Sequence, residues 1–202
     1  MTKKQKIIIT DCDGVLTNWE FAFHTQMQYH GHITTTGYKE YYDITKQYQI
    51  SEGMKYIKEF NASAAIGFLP PHRDAQYYVA QYYVKLLNEK HGYRFVVLTS
   101  FGTEPHAVEL RKRNLVKLFG DIFDDIICIE TTETKEEKLA DLYKKYGNAK
   151  WIEDHPVNVD LGIAAGFDGL LMEHKHNLDY AGNATVVKNW EEIYNIIVED
   201  EK

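Results

Sequence analysis

The stretch Ile7-Ile8-Ile9-Thr10-Asp11-Cys12-Asp13-Gly14-Val15-Leu16-Thr17 decides the fold. Its consecutive isoleucines leave no polar face, the pattern of a strand covered on both sides in a parallel sheet. The run breaks at two carboxylates one residue apart, followed by a glycine that suits a turn. Open α/β sheets bind ligands in the crevice outside the carboxyl ends of their strands. Asp11 is therefore placed to point into such a crevice, and Asp13 to hand over a proton beside it. The plainer alternative is an acidic turn with a helix cap.

The chain of 202 residues suggests one domain, or one with a modest insertion. Hydrophobic residues make up 44%, enough for a real core. A net charge of −7 argues against a nucleic-acid groove. Cys12 and Cys128 are too few for a disulfide scaffold and fit a reducing cytosol, so a cytoplasmic location is expected. The N-terminus is basic, but only three isoleucines follow before Asp11 and no apolar run reaches membrane length, so no membrane partner is expected.

After Thr17 the chain becomes aromatic and polar, with Trp19, Phe23, Tyr42, Tyr48 and Phe60 among many charged residues. Residues 18–70 read as a small, mainly helical cap, with one helix over Ile50–Phe60 capped by Ser51. Pro70-Pro71 closes it. A long helix is predicted from His72 to Lys90, with Ala75, Val79, Tyr82, Tyr83 and Leu86 at helical spacing. Tyr77, Tyr78, Tyr82 and Tyr83 read as helix packing rather than a stacking platform. Further strands are predicted at 95–98, 126–129, 150–152 and 169–172, and helices at 104–118, 135–146, 159–165 and 190–198. Strands alternating with helices imply a parallel α/β sheet with crossovers and helices on both faces. The core is then 1–17 with 71–202, and the cap 18–70.

Each strand end carries candidate chemistry. Thr99 and Ser100 close the second strand, where a hydroxyl and helix N–H groups can grip a phosphoryl oxygen, or simply cap the helix. Lys135 and Lys138 both follow the third strand and either can supply a cation; solvation of either is the plainer reading. Glu153-Asp154 ends the fourth strand, and adjacent buried carboxylates call for a metal. Asn158 follows at a distance suited to support them. His30-Gly31-His32 and His174-Lys175-His176 lack the helical spacing of a zinc helix and read as surface or cap histidines. Trp19 reads equally as an overhang to the site or as cap packing.

The first stretch resembles motif one of the haloacid dehalogenase superfamily of phosphotransferases. The resemblance implies that Asp11 attacks phosphorus to form an aspartyl-phosphate, and that Asp13 protonates the leaving oxygen and then activates water. Chemically, Asp11 must be ionised and Asp13 must carry a proton near neutral pH, which neighbouring negative charge favours. Thr99 resembles the hydroxyl of motif two. Lys135 fits the family's lysine better than Lys138, because Gly147 closes its helix about three turns later. Glu153-Asp154 resembles motif four and implies that Asp154 holds Mg²⁺ with Asp11 and the Asp13 backbone carbonyl, with Glu153 acting through water.

Asp13-Gly14-Val15-Leu16-Thr17-Asn18-Trp19, Phe60-Asn61-Ala62-Ser63, Phe68-Leu69-Pro70-Pro71, Glu153-Asp154-His155-Pro156, Asn177 and Asn189-Trp190-Glu191-Glu192-Ile193 together resemble the 5′(3′)-deoxyribonucleotidase family over nearly the whole chain. That implies a Mg²⁺-dependent enzyme removing phosphate from nucleoside monophosphates, with a tendency to form homodimers. It also implies Trp19 and, less closely, Tyr42 stacking on the base. The chain departs from that family at Glu153, where an aspartate is usual, at Cys12, at Asp74, where a glycine is expected, and in a longer lysine helix. A phosphatase of another small ester or of nucleic-acid 3′ ends, and a non-catalytic nucleotide-binding module, are the alternatives.

Overall fold

A computed structural model describes residues 5–76 and 80–201. Six strands, β1 (Lys6–Thr10), β2 (Tyr93–Ser100), β3 (Phe123–Ile129), β4 (Lys150–Glu153), β5 (Asp168–Met172) and β6 (Thr185–Val187), form one sheet in the order β3-β2-β1-β4-β5-β6. Every pairing is parallel. The isoleucine run lies near the centre, where both faces are covered. Ile8 enters one core layer with Phe95, Leu115, Phe119 and Trp190, while Ile7 and Ile9 enter the other with Leu139, Trp151 and Val159.

Helices α4 (Ala80–Glu89), α5 (Pro105–Phe119) and α8 (Trp190–Glu199) supply the first layer; α6 (Glu136–Tyr146) and α7 (Pro156–Ala165) supply the second. The α7 helix lies hard on the sheet at Gly162, where an added Cβ would sit 2.1 Å from Trp151 Cδ1. Between β1 and β2 the chain forms α1 (Trp19–Tyr29), α2 (Ile44–Tyr48), α3 (Gly53–Asn61) and short 3-10 turns. These bury Phe23, Met27, Ile44, Tyr48 and Phe60 against Phe101 and Ala107 of the β2–α5 region. The strands entering and leaving this segment lie side by side: Asn18 N donates to Pro70 O (2.7 Å) and His72 N to Leu16 O (2.9 Å).

Several expectations are corrected. The helix expected from Ile50 begins at Gly53, and Ser51 does not cap it, because the N-cap position falls on Glu52, which makes no side-chain cap bond. The helix expected from His72 does not start there as an α-helix. Arg73 has φ +42°, outside helical geometry, and a 3-10 turn Arg73–Gln76 precedes α4. Tyr77, Tyr78 and Val79, and the side chain of Tyr82, lie outside the described residues. The turn has a use: Asp74 accepts from the backbone N–H of Trp190 (3.0 Å) and Glu191 (3.1 Å), joining Asn189 in capping α8. The third strand starts three residues earlier than expected; as an edge strand it tolerates exposed Asp124 and Asp125. The sixth strand, three residues long, was not expected. Among the described residues no helix is long and apolar enough to cross a membrane.

Candidate active site

The carboxyl ends of β1, β2 and β4 open into one cavity of about 250 Å³, lined by Asp11, Asp13, Thr99, Ser100, Lys135, Glu153 and Asp154. Trp19, Tyr42 and Asn158 line it too. Parallel strands end at one edge of the sheet, so residues far apart in sequence converge there.

At its centre, Lys135 Nζ donates to Asp11 Oδ1 and Glu153 Oε2, both at 2.7 Å. Lys135 is only 2% exposed, whereas Lys138 faces solvent. Burial opposes the Lys135 charge, but Asp11 and Glu153 outweigh it and hold the ammonium above its ordinary range. One lysine cannot fully compensate several carboxylates. Burial, and then Glu153, push Asp11 up to about 7 against the pull of Lys135. Burial, with Glu153 and Asp11 beside it, likewise holds Asp154 well above the usual carboxylate range.

Glu153 is held by the protein on both oxygens. Oε2 accepts from Lys135, and Oε1 accepts from the backbone N–H of Asp154 (3.1 Å) and His155 (3.0 Å). Asp154 is set by its neighbours. Asn177 Nδ2 donates to its carbonyl (2.8 Å) and to Met172 O (2.9 Å), tying the ends of β4 and β5 together. On the other side stands Gly14, at φ +79°, where a Cβ would sit 2.5 Å from Asp154 Oδ2. Only glycine takes this backbone at no cost and leaves the carboxylate room.

Asp13 has a partner that the sequence did not disclose. Arg111 Nη1 and Nη2 donate to its two oxygens at 2.5 and 2.8 Å, and Thr17 Oγ1 donates to Oδ1 at 2.8 Å. Arg111 is fully buried, 4.4 Å above the Phe101 ring, and Nη1 also reaches Cys12 Sγ at 3.1 Å. Both Asp13 oxygens are thus gripped by the Arg111 guanidinium. The available signal was position. Ala107, Arg111, Asn114 and Leu115 form the buried stripe of α5, so an arginine there is buried and must be paired.

The histidines of the Lys175 loop also correct an expectation. His174 and His176 are neither surface nor cap residues but line the cavity and stack on each other at 5.1 Å. His174 Nε2 lies 2.9 Å from Gly14 O, and His176 Nε2 3.3 Å from Asp154 O. The loop leaves β5 at the same sheet edge as the carboxylates, which brings them in. His30 and His32 stay with the segment between β1 and β2, where His32 packs on Tyr56 at 4.9 Å. Trp19 combines both of its readings: it stacks on Phe23 at 4.7 Å and donates to Asn61 Oδ1 at 2.8 Å, while lining the cavity. Tyr42 is 59% exposed and packs on His155 at 4.6 Å.

Oxygens of Asp11, Glu153 and Asp154 all lie within 4.8 Å of one another, and all three residues are buried. Such an all-oxygen set, with more negative charge than Lys135 offsets, fits a hard divalent cation such as Mg²⁺.

No protein-family model matches the chain. It is 27% identical over 155 residues to an uncharacterized 32.4 kDa protein of Enterobacteria phage T4 from the Gp30-rIII intergenic region, a match covering 73% of this chain and 53% of the phage protein. The chain thus spans about half the length of that relative. Among solved structures it is similar to a haloacid dehalogenase-like hydrolase family protein of Streptococcus pneumoniae (TM-score 0.66, 14% identity, 98% of this chain and 100% of that one). It is similar to the L-2-haloacid dehalogenase of Xanthobacter autotrophicus (0.64, 11%, 96% and 98%). It is also similar to the D,D-heptose 1,7-bisphosphate phosphatase of B. bronchiseptica, solved with magnesium and phosphate (0.59, 10%, 97% and 99%). The fold is that of the haloacid dehalogenase-like hydrolases.

Proposed function

We propose that the chain is a Mg²⁺-dependent phosphomonoesterase that removes phosphate from (deoxy)nucleoside 5′-monophosphates. The observation that carries this is the buried Lys135 clamp on Asp11 and Glu153, with Asp154 and Thr99 on the same cavity. A fold shared with a dehalogenase does not fix the chemistry. A lysine on the nucleophile's carboxylate suits a phosphoryl group, whose charge must be held in the transition state.

Asp11, Asp154 and the Asp13 backbone carbonyl would hold Mg²⁺. When bound, the ion neutralises phosphoryl charge. Asp11 attacks phosphorus, and the ester oxygen leaves as Asp13 gives it a proton. Asp13 then takes a proton from water as that water opens the aspartyl-phosphate, and inorganic phosphate departs. Lys135, Thr99 and Ser100 grip the phosphoryl oxygens throughout. Because Arg111 holds both Asp13 oxygens in the resting state, Asp13 must free one of them to carry the proton. The nucleotide assignment is supported by Trp19 and Tyr42 on the cavity, where aromatic faces stack on bases with little regard to their identity. In this reading 18–70 is the cap over a core of 1–17 and 71–202.

Phosphate release with Mg²⁺ from ribo- and deoxyribonucleoside 5′- and 3′-monophosphates and from sugar phosphates tests the proposal, beside Asp11→Asn. Turnover of nucleoside 5′-monophosphates that disappears in the variant is expected. Turnover of other esters alone would overturn the substrate class, and turnover of nothing the chemistry.

A further inference from the structure

The loop between β5 and β6 carries polar side chains that the chemistry above leaves unused. Asn177 is buried, and the side chains of His174 and His176 are 11% and 12% exposed. Each reaches the backbone of a turn that carries candidate cation ligands. His174 Nε2 lies 2.9 Å from Gly14 O, and His176 Nε2 lies 3.3 Å from Asp154 O. A carbonyl oxygen only accepts, so each ring carries a proton on Nε2. Asn177 Nδ2 also donates to Asp154 O at 2.8 Å, and Asn177 Oδ1 accepts from the His174 N–H at 2.8 Å, which closes the loop on itself. The His174 ring is held in place by stacking on His176 at 5.1 Å and on His72 at 4.9 Å.

These bonds fix the ligands rather than touch the ion. The Asp13 carbonyl and the Gly14 N–H belong to one peptide plane. That N–H donates to Thr17 O at 2.9 Å, and the next carbonyl, Gly14 O, takes the His174 bond. Gly14 is therefore pinned on both sides, and the direction of the Asp13 carbonyl with it. Asp154 is pinned at its own carbonyl, and its Oδ2 stands 3.7 Å from His176 Nε2 and 4.0 Å from His174 Nε2.

The segment His174–Asn177 thus spans the turn after β1 and the turn after β4 and sets the separation between them. A fixed separation does not serve every cation equally. Mg²⁺ demands a nearly ideal octahedron with ligands at about 2.0–2.1 Å, whereas Ca²⁺ accepts irregular sites at about 2.3–2.6 Å.

We propose that His174, His176 and Asn177 are positioning residues that clasp the Asp13-Gly14 turn to Asp154 and give the site its preference for Mg²⁺ over Ca²⁺. This rests on the Mg²⁺ reading of the site given above.

Urea unfolding in EDTA, and then with increasing Mg²⁺ or Ca²⁺ at constant ionic strength, reads the affinity for each ion from the stabilisation it gives, without turnover. The wild type should bind Mg²⁺ more tightly than Ca²⁺. His174→Phe keeps a stacking ring and removes the donor. It should weaken Mg²⁺ binding about 10- to 100-fold, as loss of a ligand's support does, and Ca²⁺ binding about threefold or less. His174→Gln, whose amide can donate from the place of Nε2, should restore part of the Mg²⁺ affinity. His176→Phe should act in the same direction and carries the test if His174→Phe does not fold. Equal losses for both ions, or no loss in a folded variant, would overturn the clasp and leave the metal reading standing. A wild type that prefers Ca²⁺ would also overturn the clasp. A wild type stabilised by neither ion would overturn the metal reading itself, and the clasp with it.

Discussion

Replacing Lys135 with methionine keeps the stem and removes the charge. The ammonium is 2% exposed and bonds two carboxylates at 2.7 Å whose side chains are 9% and 1% exposed. Removing one partner of such a buried pair costs about 3–5 kcal/mol, because the remaining charge has nowhere to go. A neighbouring loss, the contact of Nζ with the Trp151 ring at 5.2 Å, works in the same direction. The cost should depend on pH with a definite sign. Asp11 already titrates at about 7 in the folded chain, above its ordinary 3.8. A carboxyl raised on folding binds its proton more tightly folded than unfolded. It therefore favours the folded state below about 4 and loses that contribution as pH climbs through 7. Without Lys135 the carboxyl shifts further up, so the deficit relative to wild type should be about 3–5 kcal/mol at pH 8 and much smaller at pH 5, where protons replace the lysine. Urea unfolding of both proteins in EDTA at pH 5, 6, 7 and 8 measures this. A deficit equal at pH 5 and 8 would mean lost packing alone; no deficit at pH 8 would mean that the clamp carries no charge compensation. Either result refutes the reasoning.

Four further outcomes follow from the site. Arg111→Lys keeps a cation but cannot grip both Asp13 oxygens, and should lower kcat for phosphate release about 10²-fold through misplacement of Asp13. Gly14→Ala forces a strained φ and a clash with Asp154 Oδ2, and should raise the Mg²⁺ concentration for half-maximal turnover about 10- to 100-fold, as displacing a ligand's support does. Chelation of Mg²⁺ should abolish turnover. The half-maximal Mg²⁺ concentration should rise as pH falls below about 7, because Asp11 must lose its proton to serve as a ligand.

Much of the fold was legible because β1 declares itself. An isoleucine run with no polar face fits only a doubly covered strand, and each later apolar run could be matched to it. Asp11, Asp13 and Glu153-Asp154 were legible as adjacent carboxylates at strand ends. Lys135 and Lys138 were separable only by resemblance, and burial now distinguishes them. Arg111 was hidden because a basic run in a helix reads as a solvated face, although the stripe of Ala107 and Leu115 held the clue. His174 and His176 were misread because their spacing was tested against a zinc helix and not against the sheet edge that their loop leaves. The short β6, and the left-handed Arg73 in the turn after Pro71, have no periodic signature of their own.

The strand order has a consequence for how the molecule comes into being. The first strand made is the one at the middle, and its neighbours arrive much later. The Lys135–Asp11 bond spans 124 residues, the His174–Gly14 contact 160, and the bond from Trp190 to Val15 O 175. Pairings this distant in sequence are slow to form, since the intervening loop must be closed before any contact rewards it. During synthesis the isoleucine run therefore waits, exposed and β-prone, until the distal half emerges. The three lysines at Lys3, Lys4 and Lys6 just ahead of it are the kind of charged flank that discourages such a segment from pairing with another copy in the meantime.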